Sequence, residues 1–339
     1  MSNPVLVQLT RGPQIESTHR GAVCIVRADG SPFLELGNVD APIYPRSAIK
    51  VLQALALVES GAADAAGFTD KELALACSSH NGEPMHVEGA RGMLAKCGLA
   101  LDALACGIHW PLDPDAAHAL AASGQCPDPL HNNCSGKHAG MLALATHLKV
   151  DVGGYDRPDH PIQRRIRETI EEVAGETLSP DVCAVDGCSV PTWAMPLKSI
   201  AGAFAALTSP DDLSKTRASA VRRLFHACTS EPLMVEGTAR FGTGVMERFG
   251  PAAFVKGGAE GVYCAAFPEH GLGLALKVDD GARRGAEAAA AFIIAGLVAG
   301  QITNAGEIFK TTLKNWRGLM VGEVQPSAEL AGAIAKLAS

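Results

Sequence analysis

The sequence predicts a mixed α/β protein of the α+β kind: an antiparallel sheet flanked by helices, built from the two ends of the chain, plus a mostly helical second part from its middle. Three observations predict it. Short apolar segments punctuated by turn residues open the chain, helix-period patterns dominate residues 83–248, and strand signals return after residue 249. Residues 1–82 and 249–339 are therefore assigned to the sheet-bearing part and 83–248 to the helical part. No repeat or Pro/Ser-rich linker marks a boundary, so one compact unit is expected.

In chain order, strands are expected at Val5 to Leu9, Val23 to Arg27 and Phe33 to Leu36, the last two divided by Asp29-Gly30-Ser31-Pro32. A helix is expected from Ser47 through Val58, opened by Ser47, with Ile49, Leu52, Leu55, Ala56 and Val58 at helical spacing. Another runs from Thr69 to near Cys77, and Ser78-Ser79-His80-Asn81-Gly82 follows as a polar loop. Helical patterns then cover Val87 to Lys96, Pro114 to Ala122, Lys137 to Leu148, Pro161 to Ala174 and Leu213 to Ala227, with an apolar strand at Val182 to Val185. Late strands are read at Ala253 to Lys256, Val262 to Phe267 and Leu272 to Val278, and the Ala-rich stretch Arg283 to Ala299 reads as a helix that packs on them.

Composition narrows the function classes. With 339 residues, 47% hydrophobic and only 19% charged, the chain can bury a large core and does not have the make-up of a disordered protein. No basic segment at the start leads into a long apolar run, and no later run is long enough to span a bilayer, so a cytoplasmic location without membrane insertion is expected. The net charge is −7, and the 29 basic residues form no stripe with interleaved aromatics, which argues against nucleic acid and for a small polar substrate. Ten cysteines without an export signal read as reduced thiols; Cys24, Cys77, Cys97, Cys106, Cys228 and Cys264 sit in apolar or Ala/Gly-rich surroundings and are expected in the core.

Ser47-Ala48-Ile49-Lys50 places an amine one helical turn after a hydroxyl, because residues three apart share a helix face. A neutral lysine there could take the serine proton, and a helix N-terminus favours the developing negative charge. The ordinary alternative is a surface lysine. Ser79-His80-Asn81 and Lys256-Gly257-Gly258 follow, in the order S-x-x-K, S-x-N, K-[ST]-G of serine β-lactamases and penicillin-binding proteins. Gly257 stands where those enzymes carry Ser or Thr, and the second element comes only about thirty residues after the first, so antibiotic recognition is not expected.

His131-Asn132-Asn133-Cys134-Ser135-Gly136-Lys137-His138 crowds amides, a thiol, an amine and imidazoles around a helix start, and Asp186-Gly187-Cys188-Ser189 forms a second polar cluster. Two readings stay open: a helix N-terminus capped by Asn or Ser with Cys134 simply packed, or two thiolates and a carboxylate holding a soft or borderline cation.

The chain resembles the asparaginase II family, the rhizobial class 3 L-asparaginases. The resemblance rests on Pro45-Arg46-Ser47-Ala48-Ile49-Lys50, Ser79-His80-Asn81-Gly82-Glu83, the H-N-N-C-S-G-K-H segment, Asp186-Gly187-Cys188-Ser189-Val190-Pro191 and Lys256-Gly257-Gly258-Ala259-Glu260-Gly261. It implies a serine β-lactamase-like and glutaminase-like fold, a homodimer, and hydrolysis of L-asparagine to L-aspartate and ammonia. It further implies Ser47 as nucleophile with Lys50 as its base, Ser79 and Lys256 as a second serine-lysine pair, and zinc held by Cys134, Lys137 and Cys188 near Asp186. Arg46, Asn133 and His138 lie inside the matching motifs as substrate-contact candidates, with packing or capping the other role for each; His80 is a similar case. Three rivals are carried forward: a glutaminase or other amidase on the same fold, a penicillin-recognising acyl enzyme, and a non-catalytic zinc-binding protein.

Overall fold

A computed structural model describes residues 2–298, 306 and 308–336. Two compact units emerge: Met1–Ile43, Pro196–Thr208 and Val255–Ser339 form a sheet unit, and Tyr44–Met195 with Ser209–Phe254 form a helical unit. The α+β class read from the sequence is the one found.

The sheet runs in the order Thr312–Lys314, Met320–Pro326, Val5–Arg11, Gln14–Arg27, Leu272–Val278, Val262–Phe267, Phe254–Gly257, with Pro32–Leu36 also paired to Gln14–Arg27. Gln14–Arg27 is much longer than the expected Val23 to Arg27. Its polar first half, mostly exposed, pairs with Val5–Arg11, while its buried second half pairs with Leu272–Val278 in the register Cys24 opposite Ala275. A strand with water on one side of its first half carries little apolar signal. Val262–Phe267 is buried at every position and Leu272–Val278 at all but one, so both faces of the sheet are covered there. The expected helix from Arg283 to Ala299 is found as Arg283–Leu297, and residue 299 lies outside the described residues. It and Ala328–Ala335 pack on sheet strands including Val5–Arg11.

Leu197–Ala206, not anticipated from the sequence, belongs to the sheet unit and lies on Leu272–Val278 and Gln14–Arg27. Gly273 makes that contact possible: a Cβ there would sit 2.1 Å from Ala205 N and 2.3 Å from Ala201 O. Gly273→Ala should therefore push helix from strand and lower stability by about 3 kcal/mol or more, read as a lower urea midpoint at unchanged slope.

In the helical unit, Lys50–Glu59 packs on Ser135–Leu148, Pro161–Ala174 and Lys215–Ser230. Ser135–Leu148 is buried at every position from Ser135 to Ala145. Small residues permit this: a Cβ on Gly136 would meet Leu75 O at 2.4 Å. Ser47 does not open a helix. Arg46, at φ 52°, turns the chain into a 3-10 turn over Arg46–Ile49, and the α-helix begins at Lys50 without a side-chain cap. All ten cysteines are free thiols; of the six expected in the core, five are buried and Cys97 is partly so. Among the described residues no helix is long and apolar enough to cross a membrane.

Candidate active site

Lys50 is fully buried and its amine has three partners. Nζ donates to Ser79 Oγ at 3.0 Å and to the Ser78 carbonyl, and meets Cys134 Sγ at 3.1 Å. Ser47, half-buried one turn earlier, contributes its carbonyl to Lys50 N–H, and its hydroxyl has no hydrogen bond among the described residues. The hydroxyl that the lysine holds is thus Ser79, while that of Ser47 is left uncommitted.

The loop after Ser79 is locked from several sides. Ser79 N–H donates to Val235 O and His80 N–H to Asn133 O. Ser135 Oγ donates to Leu130 O, so His80 Nε2–H is the donor to Ser135 Oγ at 2.9 Å, and His80 Nδ1 accepts from Gly82 N–H at 3.0 Å. That pattern uses a neutral imidazole, and burial holds His80 well below the ordinary histidine range. His80 is part of the scaffold beneath Ser79 and Asn133. Asn81 Nδ2 is spent on Glu83 Oε1 and Thr238 O, both at 3.1 Å.

Cys134 sits at the N-cap of Ser135–Leu148, its N–H bonded to Asn132 Oδ1 at 2.9 Å. Across from it, Cys183–Val185 and Pro191–Trp193 form a hairpin whose turn carries Asp186 and Cys188, with Ser189 at φ 78° closing it. Lys137 Nζ lies 2.9 Å from Cys188 Sγ, Cys188 Sγ lies 3.6 Å from Asp186 Oδ2, and the two thiols are close enough to shift each other's titration. Both cysteines and Lys137 are 3% exposed. Interaction with Cys188, against the cost of burial and with the charges of Lys50 and Lys137, holds Cys134 well below the ordinary thiol range; the same interaction and burial push Cys188 up. Burial acts to lower Lys137, but Cys188, Cys134 and Asp186 outweigh it and raise it. Asp186, by contrast, is lowered: burial opposes, and the Lys137 and Arg46 charges prevail.

Among the described residues no group of three or more His, Cys, Asp or Glu is set to hold a metal ion. Two sulfurs and an amine nevertheless converge, and thiolates with one nitrogen suit zinc, so Cys134, Cys188 and Lys137 fit as its donors once Lys137 gives up its proton.

The remaining candidates fall as follows. Arg46 Nε is paired with Asp186 Oδ1, which also takes Gly187 N–H at 2.8 Å. Asn133 is half-buried; its N–H donates to His109 Nε2 at 2.9 Å. His138 is fully buried, with Nδ1 taking the Tyr155 hydroxyl at 2.6 Å, while that hydroxyl accepts Ala105 N–H at 2.9 Å. Lys256 belongs to the sheet unit, fully buried in Phe254–Gly257 with Nζ donating to Gly257 O at 2.8 Å. Sequence reasoning missed the Ser78 carbonyl, Asn132, His109 and Tyr155. Asn132 braces the segment through Cys106 O at 2.8 Å and the Cys134 amide. A lone histidine and a lone tyrosine in unpatterned loops gave no signal for these roles.

Comparison with the curated proteins finds no match. The family model of L-asparaginase II matches residues 7–326.

Proposed function

The chain belongs to the L-asparaginase II family and is an asparagine amidohydrolase, and from that premise we propose a serine acyl-enzyme mechanism carried by Ser47 and Lys50. The observation that carries the reading is the buried Lys50 amine, one turn after an uncommitted Ser47 hydroxyl and bonded to Ser79 Oγ. Ser47 Oγ attacks the side-chain amide carbon while its proton passes to Lys50 Nζ, which must be neutral to receive it. The tetrahedral adduct collapses as the C–N bond breaks and its nitrogen takes a proton, so ammonia leaves and an aspartyl ester remains on Ser47. Water attacks the ester, releasing L-aspartate and restoring the hydroxyl. On the motif order, Ser79 and Lys256 are assigned the relay of the proton to the leaving ammonia. Arg46, Asn133, His138 and Asp186 are the candidates for holding substrate, Arg46 and Asp186 as an ion pair and His138 from within the packed interior. The working form is proposed to be a cytoplasmic homodimer.

Zinc, held by Cys134, Lys137 and Cys188, would supply a fixed positive charge that orients the substrate. Its role is tested most cleanly at Cys188, which touches Lys137 and Asp186 but not Lys50. Wild type should carry about one zinc per chain, as in other sites built on thiolates, and release ammonia from asparagine with far higher kcat/KM than from glutamine. Cys188→Ser should lose zinc and raise KM more than it lowers kcat, with unchanged circular dichroism. Equal kcat/KM for the two amides would favour a general amidase. Zinc without ammonia release from any amide would favour a binding protein.

A further inference from the structure

We propose that His109, on the segment between Cys106 and Asp113, is a positioning residue for the hydrolysis: its Nε2 holds the Asn133 backbone and so aims the Asn133 side chain at the substrate. The inference rests on the reading of Asn133 as a substrate contact, and it adds a residue outside the motifs that carry the family resemblance.

The ring's proton is placed by its own neighbour. Nδ1 lies 2.7 Å from the Trp110 carbonyl, which can only accept, so Nδ1 carries the hydrogen and Nε2 presents a lone pair. Nε2 takes Asn133 N–H at 2.9 Å. On the other side of the same residue, the Asn133 carbonyl takes His80 N–H at 3.2 Å. Both peptide groups flanking the Asn133 Cα are therefore fixed, and the side chain is the part left free. Asn133 Oδ1 stands 3.5 Å from Nε2, an acceptor facing an acceptor, and its amide has no other hydrogen bond among the described residues. A half-buried amide with its donors unspent, on a backbone held at two points, suits recognition of a polar substrate.

The segment that bears His109 is anchored without the ring. Asn132 Nδ2 donates to Cys106 O at 2.8 Å and to Gly107 O at 3.3 Å, while Asn81 O takes the N–H groups of Leu112 and Asp113 at 2.7 and 3.1 Å. It thus ties the Ser79-His80-Asn81 loop to the turn over Asn132-Asn133-Cys134. Ile108, Trp110 and Leu112 are exposed, whereas His109 is half-buried against Asn133. Substitution at 109 accordingly removes the ring's bonds and leaves the anchors in place.

The test compares His109→Gln with His109→Met, side chains of similar length of which only glutamine carries an oxygen acceptor. In steady-state ammonia release from asparagine by the full-length protein, His109→Met should raise KM about five- to tenfold with kcat within about twofold, the size of one lost hydrogen bond. His109→Gln should recover most of that loss, which a role in packing alone would not produce. Asn133→Ala should raise KM at least as much, and His109→Met placed on it should add little, because both act through one side chain. Equal KM in the Gln and Met variants, or additive effects in the double variant, would overturn the positioning role. An unchanged KM in Asn133→Ala would remove the substrate contact itself and the proposal with it, a failure told apart from the first by which variant stays wild-type. Melting temperature is the control for folding. Should His109→Met unfold, His109→Asn takes its place, since it keeps a donor for Trp110 O and loses the acceptor for Asn133 N–H.

Discussion

Ser47→Ala should lower kcat/KM for asparagine by at least about a thousandfold, since the hydroxyl is the nucleophile and an acyl-enzyme cannot form without it. Stability should hardly change. The Ser47 hydroxyl has no hydrogen bond among the described residues, and the surrounding turn is kept by backbone bonds, Ala48 N–H to Pro45 O and Lys50 N–H to Ser47 O. Melting temperature and circular dichroism therefore act as controls, and steady-state ammonia release is the measurement. Wild-type kcat in Ser47→Ala would make an activated water the nucleophile.

Lys50→Met should cost a comparable factor in kcat, and its side effects discriminate between two roles. The amine serves three neighbours at once: the Ser78 carbonyl, Ser79 Oγ and Cys134 Sγ. Methionine fills similar space but removes the donor to the buried Ser78 carbonyl and one contact of Ser79 Oγ, so a loss of about 1–3 kcal/mol in stability accompanies the kinetic effect. It also removes a charge that helps lower the Cys134 thiol, so that thiol should titrate higher in the variant. If Lys50 is the base, Lys50→Met loses kcat and keeps its zinc. If instead kcat survives while zinc is lost, the lysine is a charge partner for Cys134, and the serine-lysine scheme fails.

What the sequence made legible was periodic or chemically dense. Pro161 to Ala174 carried a strong amphipathic period and is found with those bounds, as is Val262 to Phe267 with its continuous apolar run. The clusters at 78–82, 131–138 and 186–189 stood out because polar residues there interrupt an apolar chain, and the structure gathers them into two neighbouring bonded sets, Lys50 with Ser79 and Cys134, and Cys188 with Lys137 and Asp186. What stayed hidden depends on tertiary context. Met320–Pro326 buries only Gly322 and Val324, so it was not read as a strand although it lies in the part assigned to the sheet, and Leu197–Ala206 falls between helical stretches, so local pattern could not assign it to the sheet unit. The pairing of Lys50 with Ser79 was equally illegible, because only the fold decides which hydroxyl among Ser47, Ser78 and Ser79 a buried amine meets.

The register of the first strand has a consequence for biosynthesis. Val7 lies opposite Pro326, so the outer half of the sheet cannot close until more than three hundred further residues have left the ribosome. Tyr44–Met195, by contrast, emerges as one uninterrupted stretch and can begin to pack during translation. Meanwhile Val5–Arg11, Gln14–Arg27 and Pro32–Leu36 can pair with one another but leave open the edges that later take Met320–Pro326 and Leu272–Val278. The nascent polypeptide thus carries these open strand edges while the intervening helical stretch is made, and chaperone demand should concentrate on them until Leu272–Val278 and Met320–Pro326 arrive.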